Sequence, residues 1–168
     1  MSDFLTEDTT TPLSSKWTLY YHDPEDSNWS ESSYIRVFEC SSIEEFWSLY
    51  RALPKSTFHL GMFFLMRDNI LPTWEDPQNQ NGGCWSYKVP ITDVLSVWES
   101  LSVCLVSENI TPSEHKLVNG ISISPKKGFC IVKIWNNNFM KNEVQLLHSV
   151  NKLNHSESIY TIFKDKDH

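Results

Sequence analysis

Between Leu71 and Trp85 the chain reads Leu-Pro-Thr-Trp-Glu-Asp-Pro-Gln-Asn-Gln-Asn-Gly-Gly-Cys-Trp. Proline fixes φ and has no backbone donor, so Pro72 and Pro77 keep this stretch out of a helix interior or a central strand. The Gly82-Gly83 pair then ends the loop and lets a strand begin at Cys84. A loop held this way must be anchored by regular structure on both sides, and it carries Trp74 with Glu75 beside it. A loop tryptophan lacks the packed neighbours that justify its size, so the pair reads as one wall and one carboxylate clamp of a pocket. A tryptophan folded back over the core is the alternative.

The flanking segments supply that regular structure. Lys16 to Tyr21 predicts a strand, ended by the turn-rich run from His22 to Asn28, which delivers Trp29 in a second loop. Tyr34 to Cys40 predicts another strand. Ser42 with Glu45 three residues on is a capping-box pattern opening a helix that Pro54 ends. The apolar run Leu60 to Met66 fits a buried strand before the central loop, and Cys84 to Val89 the strand after it. Pro90 and Thr92 open the main helix, in which Val94, Val97, Trp98, Leu101, Cys104 and Leu105 recur at helical spacing. Leu117 to Ser124 and Phe129 to Trp135 form a hairpin with a basic tip, Pro125-Lys126-Lys127-Gly128. Within its second strand Phe129, Ile131, Lys133 and Trp135 share one face. A third helix is predicted over Asn142 to Leu153 and a last strand over Ile159 to Phe163. The order predicts an α+β fold: a curved, mostly antiparallel sheet with three helices packed on its convex face.

With 168 residues, 40% of them hydrophobic and 13% aromatic, the chain suits a single domain from Pro12 to His168, preceded by an acidic, Thr-rich tail over residues 1–11 expected to be disordered. Cys40, Cys84, Cys104 and Cys130 are widely spaced with no histidine at ligand spacing, which predicts reduced thiols and no metal site or cofactor. No apolar run reaches the length of a membrane span, and the N-terminal residues are too acidic for a signal peptide, so a cytosolic or nuclear protein is expected. A net charge of −7 argues against broad binding to nucleic acid, though not against a small anionic ligand met by a few local lysines. Carboxylate clusters for metals, a phosphate-cradling glycine loop and a Cys-His pair are all missing from the sequence, which ranks an enzyme acting on a nucleotide below a binding protein.

Trp-Glu-Asp followed by a polar linker and Gly-Gly-x-Trp resembles the central motif of the eukaryotic translation initiation factor 4E family, which binds the 7-methylguanosine cap of messenger RNA. The similarity continues in order through Pro12-Leu13, Lys16-Trp17, Trp29, the run Ile43 to Tyr50, Trp98 and Ile134-Trp135, covering about Pro12 to Phe163. The resemblance implies a non-catalytic cap-binding protein that recruits a scaffold for translation initiation, with a cap-binding repressor as the alternative. It implies that Trp29 and Trp74 sandwich the methylated guanine, that Glu75 accepts from the guanine edge, and that Trp135 touches the methyl group.

For the phosphates the resemblance points to the basic tip, Lys126 and Lys127, while the family's arginine before the second tryptophan is replaced by Cys84 and a strand lysine by Ile131. Lys133, two residues on and on the same face, could restore that charge. The chain also ends at His168, before the loop that closes over the cap in longer relatives. On the convex face the resemblance implies a groove for a short helical peptide bearing a tyrosine and a leucine, formed by Pro12, Ile43, Trp47, Glu99 and Val103, with Ser100 where the usual acid stands and Thr11 where a histidine precedes the proline. Capped messenger RNA and a scaffold or repressor protein are thus the expected partners, the chain otherwise being monomeric.

Overall fold

The computed structural model describes residues 10–164; the expected tail falls outside the described residues except at its last two positions. Seven strands form one sheet: β1 (Pro12–His22), β2 (Ile35–Ser42), β3 (Met62–Arg67), β4 (Gly83–Pro90), β5 (Val118–Pro125), β6 (Phe129–Asn136) and β7 (Ile159–Ile162). Their order is β2-β1-β3-β5-β6-β4-β7, and every pairing is antiparallel. The helices are α1 (Ile43–Ala52), the single turn α2 (Thr57–Leu60) and α3 (Val94–Val106).

The capping pattern at α1 is realised: the Ser42 side chain accepts from the Glu45 amide at 3.1 Å, satisfying one of the donors a helix N-terminus leaves open. The predicted helix over Asn142 to Leu153 does not form. That segment holds a 3₁₀ turn at Val144–Leu146, a bridge between Val150 and Leu153, and Lys152 at φ 64°. Its apolar residues Val144, Leu147, Val150 and Leu153 recur every third position, a period of 3.0 rather than 3.6, and Leu147, Val150 and Leu153 are buried as separate anchors in the core. The third helix is instead α2, too short to leave a periodic signal.

Period-two alternation sends side chains to both faces of the sheet. On one face Trp17, Leu19, Leu65, Trp85, Ile121, Val132 and Ile134 pack with Phe46 of α1, Phe58 of α2 and Val97, Trp98 and Leu101 of α3. On the other, Tyr20, Phe64, Met66, Cys84 and Trp135 form a smaller cluster with Ile70 and Phe163, over which no helix lies among the described residues.

Two clusters of buried polar groups fasten one end of the sheet. Asn136, fully buried, accepts from the Gly83 amide at 3.0 Å and the Tyr160 hydroxyl at 2.7 Å and donates to the carbonyls of Asn138 and Lys141, tying β4, β6 and β7 to the chain beyond them. Gly82 fits here because a Cβ would stand 1.8 Å from the Asn136 carbonyl oxygen. At the same end of the sheet Arg67, the last residue of β3, lies over the Trp17 ring, donates to the carbonyl of Val118, which pairs with Asn136, and to the Ser15 hydroxyl, and pairs with Glu108 just past α3.

Arg67 and Glu108 are both nearly buried, so removing one partner strands the other charge. Arg67→Ala is expected to lower unfolding free energy in urea by about 3–5 kcal/mol. A loss below about 1 kcal/mol, the scale of an exposed pair, would mean that the pair does not fasten the sheet.

Candidate ligand-binding cavity and the opposite groove

The helix-free face is covered by loops, and the cavity lies between them. The loop from Asp23 to Ser30 is built from successive side-chain turns: Asp23 accepts from the Glu25 amide, Asp26 from that of Asn28, and Asn28 from that of Ser30. It presents Trp29 half exposed, with one indole face stacked on His22 at a centroid separation of 4.0 Å and an interplanar angle of 4°. His22 is itself buried and donates from Nε2 to the Asn28 carbonyl at 2.7 Å, so the ring that backs Trp29 also holds the loop.

The central loop is folded around two side chains. Asp76 accepts from the amides of Leu71 and Gln78, while buried Asn79 donates to the carbonyls of Leu71 and Thr73 at 3.0 and 2.8 Å and accepts from Asn119 of β5. Gln80 donates to the Glu75 carbonyl. Trp74 is held half-buried against the Phe64–Trp135 cluster, and the Glu75 side chain stays exposed.

Trp29, Trp74, Glu75, Lys133 and Trp135 line one cavity of about 330 Å³, together with Tyr34, Met62, Phe64, Pro72, Thr73 and Phe163. Trp135 forms its floor, with Nε1 donating to the Ser122 hydroxyl at 3.0 Å and the ring braced by Phe64 and Phe163. Burial, helped by the negative charge of Glu75, pushes the Tyr34 phenol up to about 12, so it remains a neutral hydroxyl beside the carboxylate. Among the described residues the cavity therefore offers aromatic faces, the Glu75 carboxylate and the Lys133 ammonium.

Lys126 and Lys127 do not line this cavity. They sit exposed at the β5–β6 turn, which the Lys126 amide closes on the Phe129 carbonyl and Gly128 completes at φ 79°. Two features escaped the sequence reading. Phe64 and Met62 lay inside an apolar run whose continuity hides which face each residue takes. Lys88 shares the cavity side of β4 with Cys84 and Ser86, a placement that becomes visible once β4 is paired with β6.

Across the sheet, the N-terminal segment is clipped to α1. The Thr11 amide and hydroxyl donate to the Glu44 carboxylate at 2.8 and 2.9 Å, holding that carboxyl below its usual range. Pro12 and Ile43 are exposed next to this clip, and Trp47 follows one turn along α1. Trp47 and Glu99 line a groove of about 500 Å³ with Tyr50, Arg51, Phe58 and Leu95, and the Arg51 guanidinium lies 5.5 Å from the Trp47 ring centroid. Val103, one turn beyond Glu99 on α3, lines a neighbouring hollow with Ser100, Cys104 and Val150. The two surfaces are separated by the thickness of the sheet and its helix layer.

Because Asn79 satisfies two loop carbonyls and one Asn119 donor, Asn79→Ala is expected to cost about 1–3 kcal/mol and to speed amide exchange across residues 71–80 selectively. Uniform exchange with unchanged stability would show that the loop is held some other way.

A model of the eukaryotic initiation factor 4E family matches residues 12–166. Among curated relatives, the translation initiation factors 4E of Eremothecium gossypii and Candida albicans are 31% and 32% identical over 74% of this chain, which covers 61% and 63% of theirs. The chain thus spans about three-fifths of the length of these relatives. Among solved structures, the factor 4E-3 of Caenorhabditis elegans, in complex with the 4E-binding protein Mextli and cap analog, is similar with a TM-score of 0.78 at 23% identity, over 94% of this chain and 95% of that one. The factor 4E-3 of Ascaris suum with m2,2,7G cap gives 0.71 at 24% identity, over 82% and 79%. These two structures share the fold of this chain, and the match of the family model across nearly its whole length establishes that the chain belongs to the eukaryotic initiation factor 4E family.

Proposed function

We propose that the protein binds the 7-methylguanosine cap of messenger RNA in the cavity on the helix-free face and recruits a scaffold protein of translation initiation through the groove on the helical face. The observation that carries this reading is the convergence of two loop-borne tryptophans, Trp29 and Trp74, with the Glu75 carboxylate on one cavity floored by Trp135. Methylation at the 7 position gives guanine a positive charge, and a cationic ring is drawn to indole faces more strongly than a neutral one. Glu75 accepts from the guanine edge donors, a pairing that adenine cannot offer. Trp135 lies beneath the methyl group, and Lys133 stands on the side where phosphates leave the ring. These are recognition interactions, and the chemistry assigned to the site is binding without turnover.

The presence of cap complexes and of a 4E-binding protein among the similar structures supports the same two-surface reading. The partner lies along α1 and α3, with Pro12, Ile43, Trp47, Glu99 and Val103 contributing to its seat. A helical peptide carrying a tyrosine and a leucine fits such a groove through apolar anchors spaced along one face.

Trp29→Ala and Trp74→Ala are each expected to cost about 1–3 kcal/mol in affinity for 7-methylguanosine triphosphate while leaving the fold intact. Glu75→Gln should weaken the methylated nucleotide more than its neutral analogue. A folded tryptophan variant that binds with parental affinity would overturn the cavity assignment.

Trp47→Ala should abolish binding of a Tyr/Leu helical peptide in a pull-down and leave nucleotide binding nearly unchanged. Retention of the peptide at parental levels would remove Trp47 from the groove. Joint loss of both activities and of thermal stability would make it a core residue.

A further inference from the structure

The cavity floor continues outward along β4 and β6, past the residues that enclose the ring-sized space. On β6 the side chains of Trp135, Lys133, Ile131 and Phe129 alternate onto this face, and on β4 those of Cys84, Ser86 and Lys88 do so. Antiparallel pairing sets them in rungs: Cys84 opposite Trp135, Ser86 opposite Lys133, Lys88 opposite Ile131, Pro90 opposite Phe129. On the other side of β6, β5 places Ser122 beside Lys133 and Ser124 beside Ile131. Successive rungs are two residues apart, about 7 Å along the strands.

The Lys88 ammonium lies 4.3 Å from the centroid of the Phe129 ring, which keeps it on the cavity side of the sheet and directs it along the strip. None of the residues that β4, β5, β6 and β7 turn to this side is an aspartate or glutamate; on β7, opposite Ser86 and Cys84, they are Ile159 and Thr161. In a chain of net charge −7, a strip with two ammonium groups, three serine hydroxyls and, among the described residues of these strands, no carboxylate is a local inversion of sign. It leads away from Trp135, meeting Lys133 at the first rung and Lys88 at the second. An extended anion attached to a ring in the cavity would pass these cations in that order.

We propose that Lys88 holds the outer phosphate of the bound nucleotide's 5′-phosphate chain while Lys133 takes the phosphate nearest the sugar. This rests on the reading of the cavity as a nucleotide site. Lysine suits the position because its ammonium is a mobile point charge on a long stem, able to leave the Phe129 ring for a phosphate oxygen without a fixed geometry. Lys88 therefore contributes only when the phosphate chain is long enough to reach the second rung. Its contact is exposed, so it is modest in size and screened by salt.

The test is a fluorescence titration of the parent, Lys88→Ala and Lys88→Arg with 7-methylguanosine monophosphate and triphosphate. The alanine variant should bind the triphosphate about threefold to fivefold more weakly at low salt, the scale of an exposed charge contact. It should bind the monophosphate as the parent does, and Lys88→Arg should restore the triphosphate affinity. The difference should vanish near 1 M salt, where the Debye length is about 3 Å. Parental triphosphate affinity in Lys88→Ala, or an equal loss on both nucleotides, overturns the assignment of Lys88 and leaves the cavity reading standing. Failure of the parent to bind either nucleotide overturns both.

Discussion

A seven-stranded sheet that is antiparallel throughout has two faces to protect, and in this protein both carry large apolar side chains. The helices α1, α2 and α3 cover one. The other, with Phe64, Met66, Cys84 and Trp135 at its centre, is left to loops and to Phe163 just past β7. Loops cover a surface less completely than helices do, because they cannot pack in a regular ridge and must keep their own polar groups satisfied. The incomplete cover is the cavity. Its aromatic walls are thus the same residues that shield the second apolar cluster, and site and fold are two consequences of one constraint.

Such a site is useful only if its walls hold still, since every side chain that must be ordered on binding subtracts from affinity. Short polar side chains provide the rigidity. Aspartate and asparagine turns hold the Trp29 loop, and Asp76 and Asn79 hold the Trp74 loop from within, with Asn119 linking it to β5. His22, stacked on Trp29 and bonded to Asn28, fixes a ring that is otherwise half exposed. At the base, Asn136 makes four hydrogen bonds that keep β4, β6 and β7 in register beneath Trp135. The opposite groove is built from α1 and α3, so a ligand on one side and a partner on the other need not compete for the same residues.

Much of this was legible in the sequence. Alternation placed Lys133 and Trp135 on one face, Ser42 and Glu45 fixed the start of α1, and Pro72, Pro77 and the glycine pair marked the loop that carries Trp74 and Glu75. Helical period was misleading over Asn142 to Leu153, where spacing by threes belongs to irregular chain pinned at three points. Lys126 and Lys127 were legible as a basic tip, but the distance from that tip to the cavity depends on how far β5 and β6 run, and a sequence does not state it. Lys88 and Asn79 were hidden for a similar reason: one matters through a cross-strand neighbour and the other through hydrogen bonds to backbone carbonyls, neither of which leaves a periodic signature.

The central claim is that aromatic walls and the Glu75 carboxylate make this cavity selective for a positively charged purine. Titration of intrinsic tryptophan fluorescence with 7-methylguanosine triphosphate and with unmethylated guanosine triphosphate tests it directly, because the two ligands differ only in the methyl group and the charge it brings. The account predicts strong quenching by the methylated nucleotide and an affinity at least about tenfold higher, about 1.4 kcal/mol, as stacking of a cation between indoles requires. Equal affinity for the two nucleotides would contradict it.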